Sequence, residues 1–189
     1  NQNSLALTKS GSGLLVLSGN NSYTGGTTIN NGTLNVASAN ALGTAGAIAF
    51  TGGTLQFSAT GTTDYSSRIF NSSSAITIDT NSQNIVFNSA LDVSNSGGLI
   101  KNGAGSLALG GANLYSGGTT LNAGTLDINN ATALGSGTFT INGGAIDNTS
   151  GAAVTNSKNN ALDLASNFTF IGTQNLNLGT GAITAIPAA

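Results

Sequence analysis

The stretch from Lys9 to Leu34 reads KSGSGLLVLSGNNSYTGGTTINNGTL, and the stretch from Lys101 to Leu126 reads KNGAGSLALGGANLYSGGTTLNAGTL. The two stretches share their first lysine, their tyrosine, their paired glycines and the closing Gly-Thr-Leu. A long internal repeat is typical of stacked architectures, in which each unit packs on the next along one axis. The repeat therefore predicts a rod of similar layers and makes a unique catalytic centre less expected.

The composition favours an all-β fold. The chain has 189 residues, with four basic residues, six aspartates, no glutamate, no histidine and 28 glycines. The charged residues that helices favour are nearly missing, and residues that favour strands and turns take their place. Disorder is the alternative for a chain with few aromatic residues, but 39% of the residues are hydrophobic and the net charge is only −2. An ordered β-protein is the better interpretation.

Charge and cysteine content exclude several classes of function. A net charge of −2 offers no basic patch, so we expect no nucleic acid as a partner. The absence of cysteine excludes disulfides and thiolate metal sites. The longest aliphatic run, residues 14–17, is too short to span a bilayer in this segment. Residues 1–4 lack the features of a signal peptide, which predicts a mature piece or a cut fragment.

Strand candidates are short and are separated by glycine-rich turns. Apolar residues alternate with polar or small residues within them, which is the period-two pattern of strands. In the first repeat the predicted strands are residues 5–8, 14–17, 27–30, 33–36, 47–50 and 54–57. The pattern loosens over residues 58–67 and resumes at 69–70, 76–78 and 85–87.

A period near twenty lies inside the long repeat. Leu34, Leu55 and Ile76 are spaced by 21 residues, and Leu126 and Ile146 by 20. Near the end of the chain, the pair at positions 164 and 183 is spaced by 19. Strands and turns at such a period, without helices between them, are typical of a parallel β-solenoid.

We therefore predict an all-β, right-handed parallel β-helix with about nine windings of roughly 20 residues. One solenoid domain would cover residues 1–189, in two long repeats at about 1–98 and 99–189. Nine layers at the inter-strand spacing give a rod ~40 Å long. An antiparallel β-sandwich is the alternative, but its strands do not require one motif to recur at constant spacing on one face.

The residues that follow the inward leucines predict a polar row. Asn35, Gln56 and Thr77 occupy this position in the first repeat. Stacked amides can bond along a parallel stack, as they do in cross-β assemblies. The open ends of such a stack would offer unpaired backbone groups to a neighbour.

The repeated motif resembles the passenger-associated β-strand repeat of bacterial autotransporters. The motif is Lys-x-Gly-x-Gly-x-Leu-x-Leu-x-Gly followed by Asn-x-Tyr-[Thr/Ser]-Gly-Gly-Thr-Thr-[Ile/Leu]-Asn-x-Gly-Thr-Leu, and residues 7–57 and 99–148 match it well. The resemblance implies a right-handed parallel β-helix that is secreted to the cell surface within a longer polypeptide. It implies no activity, because such repeats form stalks and adhesin bodies. The C-terminal membrane barrel of these proteins is not in this sequence.

The strongest enzymatic hypothesis is a pair of aspartates. Asp127 and Asp147 each follow an inward residue, so we expect them on adjacent layers ~5 Å apart, with Asp163 extending the line. Retaining glycosidases use two carboxyl groups at such a distance. The corresponding residues of the first repeat are Asn35 and Gln56, however, so a solvated row position is the better interpretation.

Other polar features predict structural roles. A calcium site is not expected, because the glycine-rich aspartate repeat of calcium-binding β-rolls is not matched. Tyr23 and Tyr115 could stack on a sugar, but their repetition favours a role in packing the turn before Gly-Gly. Asp64 and Arg68 could form a weak surface pair. The basic residues Lys9, Arg68, Lys101 and Lys158 are scattered along the sequence.

The sequence therefore predicts a non-enzymatic, extracellular structural or adhesin-type module of a bacterial surface protein. We expect no catalytic residues, no cofactor and no metal ligands. One alternative is a self-assembling filament built by end-to-end stacking, with the chain itself as partner. The other is a carbohydrate-active β-helix enzyme, with surface glycans as partners.

Overall fold

The computed structural model describes residues 4–185, which form a parallel β-solenoid with one short 3-10 helix, Ser66–Arg68. In chain order, the strands are β1 (Leu7–Lys9), β2 (Leu14–Leu17), β3 (Thr27–Ile29), β4 (Thr33–Val36), β5 (Ile48–Phe50), β6 (Thr54–Phe57), β7 (Ile76–Asp79), β8 (Gln83–Phe87), β9 (Leu99–Asn102), β10 (Gly105–Leu109), β11 (Thr119–Leu121), β12 (Thr125–Ile128), β13 (Phe139–Ile141), β14 (Ala145–Asp147), β15 (Val154–Thr155), β16 (Leu162–Leu164), β17 (Thr169–Phe170), β18 (Leu176–Asn177) and β19 (Ile183–Ala185).

Parallel pairing between successive coils builds the solenoid. A nine-stranded sheet, the long sheet, takes one strand from each coil in the order β2-β4-β6-β7-β9-β11-β13-β16-β19. A first-half sheet contains β1-β3-β5, and a second-half sheet contains β8-β10-β12-β14-β17. All of these strand pairs are parallel. The predicted parallel solenoid with about nine windings is confirmed, and the sandwich alternative is wrong.

The core is a continuous set of apolar ladders inside the coils. Leu34 lies directly opposite Leu55, and Leu126 lies opposite Ile146, as the twenty-residue period predicts. Each of these four side chains is at most 2% exposed. Because each inward residue rests on its neighbour above and below, water is excluded from the interior between Ile29 and Leu162, and this burial is the main force that stabilises the stack.

The two repeats do not occupy the same faces of the solenoid. The first strands of the first repeat, β1, β3 and β5, form a sheet of their own, whereas their equivalents β9, β11 and β13 continue the long sheet. The transfer takes place in the fourth coil, over residues 58–75. There Ile69 forms a bridge to Ile48 in the first-half sheet before β7 pairs with β6 in the long sheet.

Two predicted pairings differ from the structure by two residues, one of them at this transfer. Leu55 lies opposite Ile78 and not Ile76, so Asp79 and not Thr77 continues the polar row from Gln56. A similar shift places Leu162, and not Leu164, opposite Ile183. A slip of two residues preserves which side chains face inward, because the strand period is two. The hydrophobic pattern alone therefore did not distinguish the two registers.

No helix within the described residues is long and apolar enough to cross a membrane.

Candidate functional site

The lysine that opens each repeat is buried and binds the backbone of the turn that follows it. The side chain of Lys101 is fully buried among the inward residues of the long sheet. Its Nζ donates to the carbonyl oxygens of Asn102 at 3.0 Å, Gly103 at 2.7 Å and Ala123 at 3.0 Å. The last contact crosses to the next coil. The lysine therefore ties two successive turns together.

Lys9 makes the same arrangement in the first repeat. Its ammonium donates to the carbonyl oxygen of Gly11 and, at 3.0 Å, to that of Asn31 in the next coil. This role was not predicted from the sequence, along which the basic residues are scattered. The strand pattern indicates this role, because each lysine comes two residues after an inward leucine, Leu7 or Leu99, and therefore lies on the same face of its strand.

The glycine of the closing Gly-Thr-Leu leaves room for this ammonium. Gly124 has a φ of +71°, a left-handed conformation that favours glycine. A Cβ at this position would lie 2.8 Å from Nζ of Lys101 and would crowd the carbonyl oxygen of Gly103. The lysine and the glycine of the motif are thus parts of one turn-stacking unit.

Burial lowers the pKa of Lys101 to about 8, while the negative charges of Asp79 and Asp127 oppose this change. Desolvation disfavours the ammonium form, and opposite charges favour it. Lys101 therefore also lies in the electrostatic field of these two aspartates.

The repeated tyrosines have a structural role. Tyr115 is fully buried, and its hydroxyl lies 2.6 Å from Oγ1 of Thr119 and donates to the carbonyl oxygen of Ala133 at 3.2 Å. The half-buried Tyr23 forms the equivalent contact with Thr27 at 2.9 Å. Tyr115 has no exposed ring face on which a sugar could stack. The packing role predicted for the turn before Gly-Gly fits this geometry.

The predicted surface pair of Asp64 and Arg68 is wrong, because the two side chains bind other groups. Arg68 donates to the carbonyl oxygens of Leu42, Gly43, Ala45 and Gly46 at 2.6–2.9 Å. The planar guanidinium, with five N–H donors, can satisfy several carbonyls of one loop, which a point charge cannot do as well.

Asp64 instead organises the short helical turn before Arg68. One carboxylate oxygen accepts hydrogen bonds from the backbone N–H of Ser66 at 2.8 Å and from its hydroxyl at 2.6 Å. The other oxygen accepts from the backbone N–H of Asn88 at 2.9 Å. Arg68 and Asp64 therefore fix different parts of the segment that transfers the chain to a new face.

Asp127 and Asp147 are direct neighbours on adjacent coils, as the spacing predicts. They are register partners in β12 and β14 of the second-half sheet. Both lie among residues that cover them, with 7% of Asp127 and 3% of Asp147 exposed. The expectation of a solvated row position is therefore wrong for this pair. Their positions in the repeat are equivalent to those of Asn35 and Gln56, which lie in the long sheet.

The two carboxyl groups have opposite electrostatic environments. Burial and the negative charge of Asp147 raise the pKa of Asp127 to about 6, and the positive charge of Lys101 only partly opposes them. Burial alone would raise the pKa of Asp147 as well, but hydrogen bonds donated by Thr173 and by backbone N–H groups hold it below its ordinary value. Two such carboxyls with separated pKa values are also a pattern of acid–base catalysis.

The structure does not place Asp163 in this pair. Asp163 belongs to β16 of the long sheet, where Thr140 and Thr184 are its register partners. Its Oδ1 is buried and has no hydrogen-bond partner among the described residues. The expected line of three aspartates is therefore a pair. Within residues 4–185, no group of three or more His, Cys, Asp or Glu side chains is placed to hold a metal ion.

Comparison with known protein families connects this geometry to a repeat type. The family model of the passenger-associated-transport-repeat matches residues 7–36 and 99–128. No curated protein and no solved structure matches the chain significantly. Each matched segment begins two residues before a turn-binding lysine and ends two residues after the Gly-Thr-Leu. Together with the nine-coil solenoid, the two matches fit a β-helix repeat of autotransporter passengers.

Proposed function

We propose that the chain is a non-enzymatic rod segment of a longer bacterial surface protein, exported to the outside of the cell, where it spaces or displays adhesive parts. Residues 1–189 would act as one unit, with long repeats at about 1–98 and 99–189. The observation that carries the proposal is the long sheet, in which nine successive coils pair in parallel over one continuous apolar core. Such a stack gives the protein length and stiffness, and it requires no specialised binding or catalytic site.

The environment of the aspartate pair supports a non-enzymatic role. Both aspartates are largely buried as residues, and the oxygens of Asp147 already accept hydrogen bonds from Asn148 and Thr173. A nucleophile or a general base needs access to its substrate. The pair is therefore better suited to hold two coils together than to attack a glycosidic bond.

A length measurement on cells tests the rod. Residues 7–98 contain four coils, and Leu99 to Lys101 repeats the pattern of Leu7 to Lys9, so this segment can be duplicated with a native-like junction. Duplication should move a fluorophore on the far side of the rod away from a dye in the membrane by ~19 Å, four times the inter-strand spacing. An unchanged energy-transfer distance would contradict the proposal.

A flexible insertion of equal length is the matched control. A Gly/Ser segment of the same number of residues has a root-mean-square span of roughly 50 Å with a broad distribution. A rod should instead give a narrow distribution shifted by its defined length. A broad distribution for the duplicated solenoid would show that the repeat does not act as a stiff spacer.

End-to-end stacking of copies is a second candidate, supported by the apolar residues near the two edges of the long sheet. Leu14 in β2 is 61% exposed and Ile183 in β19 is 65% exposed, and each of these edge strands pairs on one side only among residues 4–185. Filaments in electron micrographs that disappear in Ile183→Lys, but persist in the side-face control Thr120→Lys, would support it. Monomers at high concentration would contradict it.

The carbohydrate-active alternative has less support. It predicts release of reducing ends from at least one polysaccharide of a broad panel, and loss of this release in Asp147→Asn. Inactivity across the panel would remove the remaining reason to consider it.

A further inference from the structure

Asp127 and Asp147 meet at an interface between two coils of the second repeat. The equivalent interface of the first repeat is formed by amides. In the first repeat, Nδ2 of Asn35 donates to Oε1 of Gln56 at 2.8 Å. In the second repeat, two carboxyl groups occupy the same positions and are register partners. Two ionised carboxylates contain no hydrogen to donate, so this interface lacks the bond that joins its counterpart.

Asp147 is the member of the pair that is held in the ionised form. Its Oδ1 accepts from the backbone N–H groups of Asn148 at 2.8 Å and Thr173 at 2.9 Å, and its Oδ2 accepts from the hydroxyl of Thr173 at 2.5 Å. Several donors to one carboxylate favour its charged state. Asp147 therefore presents a fixed negative charge to Asp127.

Asp127 is more than nine-tenths buried, and its carboxyl group has no hydrogen-bond partner among residues 4–185. On the other side of Asp127, the neighbouring strand β10 presents the uncharged Ala108. The cation that acts on Asp127 is Lys101, but its ammonium donates to three backbone carbonyls. A carboxyl group that is largely buried beside a fixed negative charge favours its neutral form.

We propose that Asp127 and Asp147 form a proton-operated clamp, in which a proton held by Asp127 is donated to a carboxylate oxygen of Asp147 and joins the sixth and seventh coils. One proton is taken from water and no other bond changes. The protonated Asp127 then supplies the donor that Asn35 supplies in the first repeat. Loss of the proton to water leaves two facing carboxylates and opens the clamp.

The direction of the pH effect follows from proton binding. The raised pKa of Asp127, about 6 against an ordinary 3.8, means that the folded chain binds this proton more tightly than the unfolded chain. Stability from a raised acid is fully present below the unfolded pKa and is lost as the pH rises through the folded pKa. We therefore expect the second repeat to be held more tightly at pH 5 than at pH 7.5.

The test compares wild-type protein with Asp127→Asn. The amide of the variant can donate to Asp147 at any pH, as Gln56 donates to Asp79 in the first repeat. Between pH 4 and pH 7.5, the wild-type folding equilibrium should weaken by roughly tenfold to a hundredfold, whereas the variant should lose most of this dependence. Asp92→Asn is the charge-matched control, because the exposed Asp92 bonds within its own turn, and it should retain the wild-type profile.

Carbon-13 NMR of the aspartate carboxyl groups keeps the test decisive even if the variant folds poorly. In wild-type protein, the carboxyl carbon of Asp127 should titrate with a midpoint near pH 6, and that of Asp147 should titrate below the ordinary range of an aspartate. A midpoint below 4.5 for Asp127 would overturn the proposal. An unchanged pH profile in Asp127→Asn would overturn it as well.

Discussion

Equivalent positions of the two repeats, which lie in the long sheet in the first half and in the second-half sheet in the second, are held together in two different ways. In the first half, Asn35 donates to Gln56, and Gln56 donates to Asp79, each at 2.8 Å. In the second half, Asp127 faces Asp147 without an intervening amide. The backbone register is equivalent in both places, so the fold does not decide how the row responds to pH. The side chains that alternate as donors and acceptors along the row decide it.

A second difference lies in the loops on the third side of the coils. In the first repeat, Arg68 of the transfer segment binds the carbonyl oxygens of residues 42–46. In the second repeat, Asn160 donates to the equivalent carbonyls of Gly135 at 3.1 Å and Gly137 at 2.5 Å. Each loop is closed by a side chain from the next coil. One half uses a charged donor and the other a neutral donor.

The largest expected effect comes from the buried lysines. Lys101→Met should lower the free energy of unfolding by about 2–4 kcal/mol, because the carbonyl oxygens of Gly103 and Ala123 lose a charged donor in a buried place. Lys9→Met should cost less than half as much, because Lys9 lies in the first described coil, whose outer side is open. Urea unfolding at pH 7 measures both changes.

Lys101→Met also sharpens the comparison of the two rows. Removal of this cation should raise the pKa of Asp127 further, because its charge is the interaction that opposes the burial of that carboxyl. Equal losses for the two lysine variants, together with an unchanged titration of Asp127, would contradict the turn-stacking role.

The loop-closing side chains should give the next largest effect. Arg68→Ala removes hydrogen bonds to four carbonyls and should destabilise the fold by about 2 kcal/mol. Asn160→Ala removes bonds to two carbonyls and should cost about 1 kcal/mol. Arg68→Lys serves as the control: it keeps the charge but cannot reach several carbonyls at once, so it should restore less than half of the loss. Full rescue by lysine would show that charge alone matters.

Gln56→Glu converts the amide row into a carboxylate pair and should reproduce the behaviour of the second half. The new carboxylate would face Asp79, and we expect a loss of about 1–2 kcal/mol at pH 7.5. Because its pKa would be raised in the folded state, the lost stability should return as the pH falls towards 5. The pH profile of the unfolding midpoint measures this change, with Gln56→Ala as the uncharged control. An unfolding midpoint that does not change with pH would contradict the inference that the side chains of the row decide its response to pH.

Most of the architecture could be predicted from the sequence, because the period near twenty and the positions of the turn residues predict the same strands. The bounds of β2, β4 and β6 are those that the alternating pattern predicts. The stacking of Leu34 on Leu55 follows from the 21-residue spacing. Local alternation and a constant period are properties of the sequence itself, and the solenoid repeats them in space.

The register after residue 58 could not be predicted in the same way. The irregular segment 58–75 changes the length of one coil, and the apolar pattern fits Ile76 or Ile78 opposite Leu55 equally well. The burial of Lys101 was missed because lysine is rarely buried, although its place in the alternating pattern pointed inward. One of the three backbone carbonyls that bind its ammonium, that of Ala123, belongs to the next coil and is not apparent from the local sequence.

The smallest expected effect concerns the Asn-Gly turns, which differ in how their amides are held. Asn102 and Asn142 belong to a ladder, in which Asn122 donates to Asn102 and Asn142 donates to Asn122, both at 2.7 Å. The side chain of the exposed Asn31 accepts from the N–H of Gly32, within its own turn.

Deamidation requires the nitrogen of the following glycine to attack the side-chain amide, so a side chain that is fixed by the next coil should react slowly. We expect aspartate and isoaspartate to form first at Asn31 during mild alkaline ageing, and several-fold more slowly at Asn102 and Asn142. Peptide mapping by mass spectrometry measures the order. Asn122→Ala releases the ladder without changing an Asn-Gly pair, and it should raise the rates at Asn102 and Asn142 but not at Asn31. Equal rates at all three sites in the wild-type protein would mean that the ladder does not restrain its amides, and the row between the coils would then be a weaker link than the lysine-bound turns.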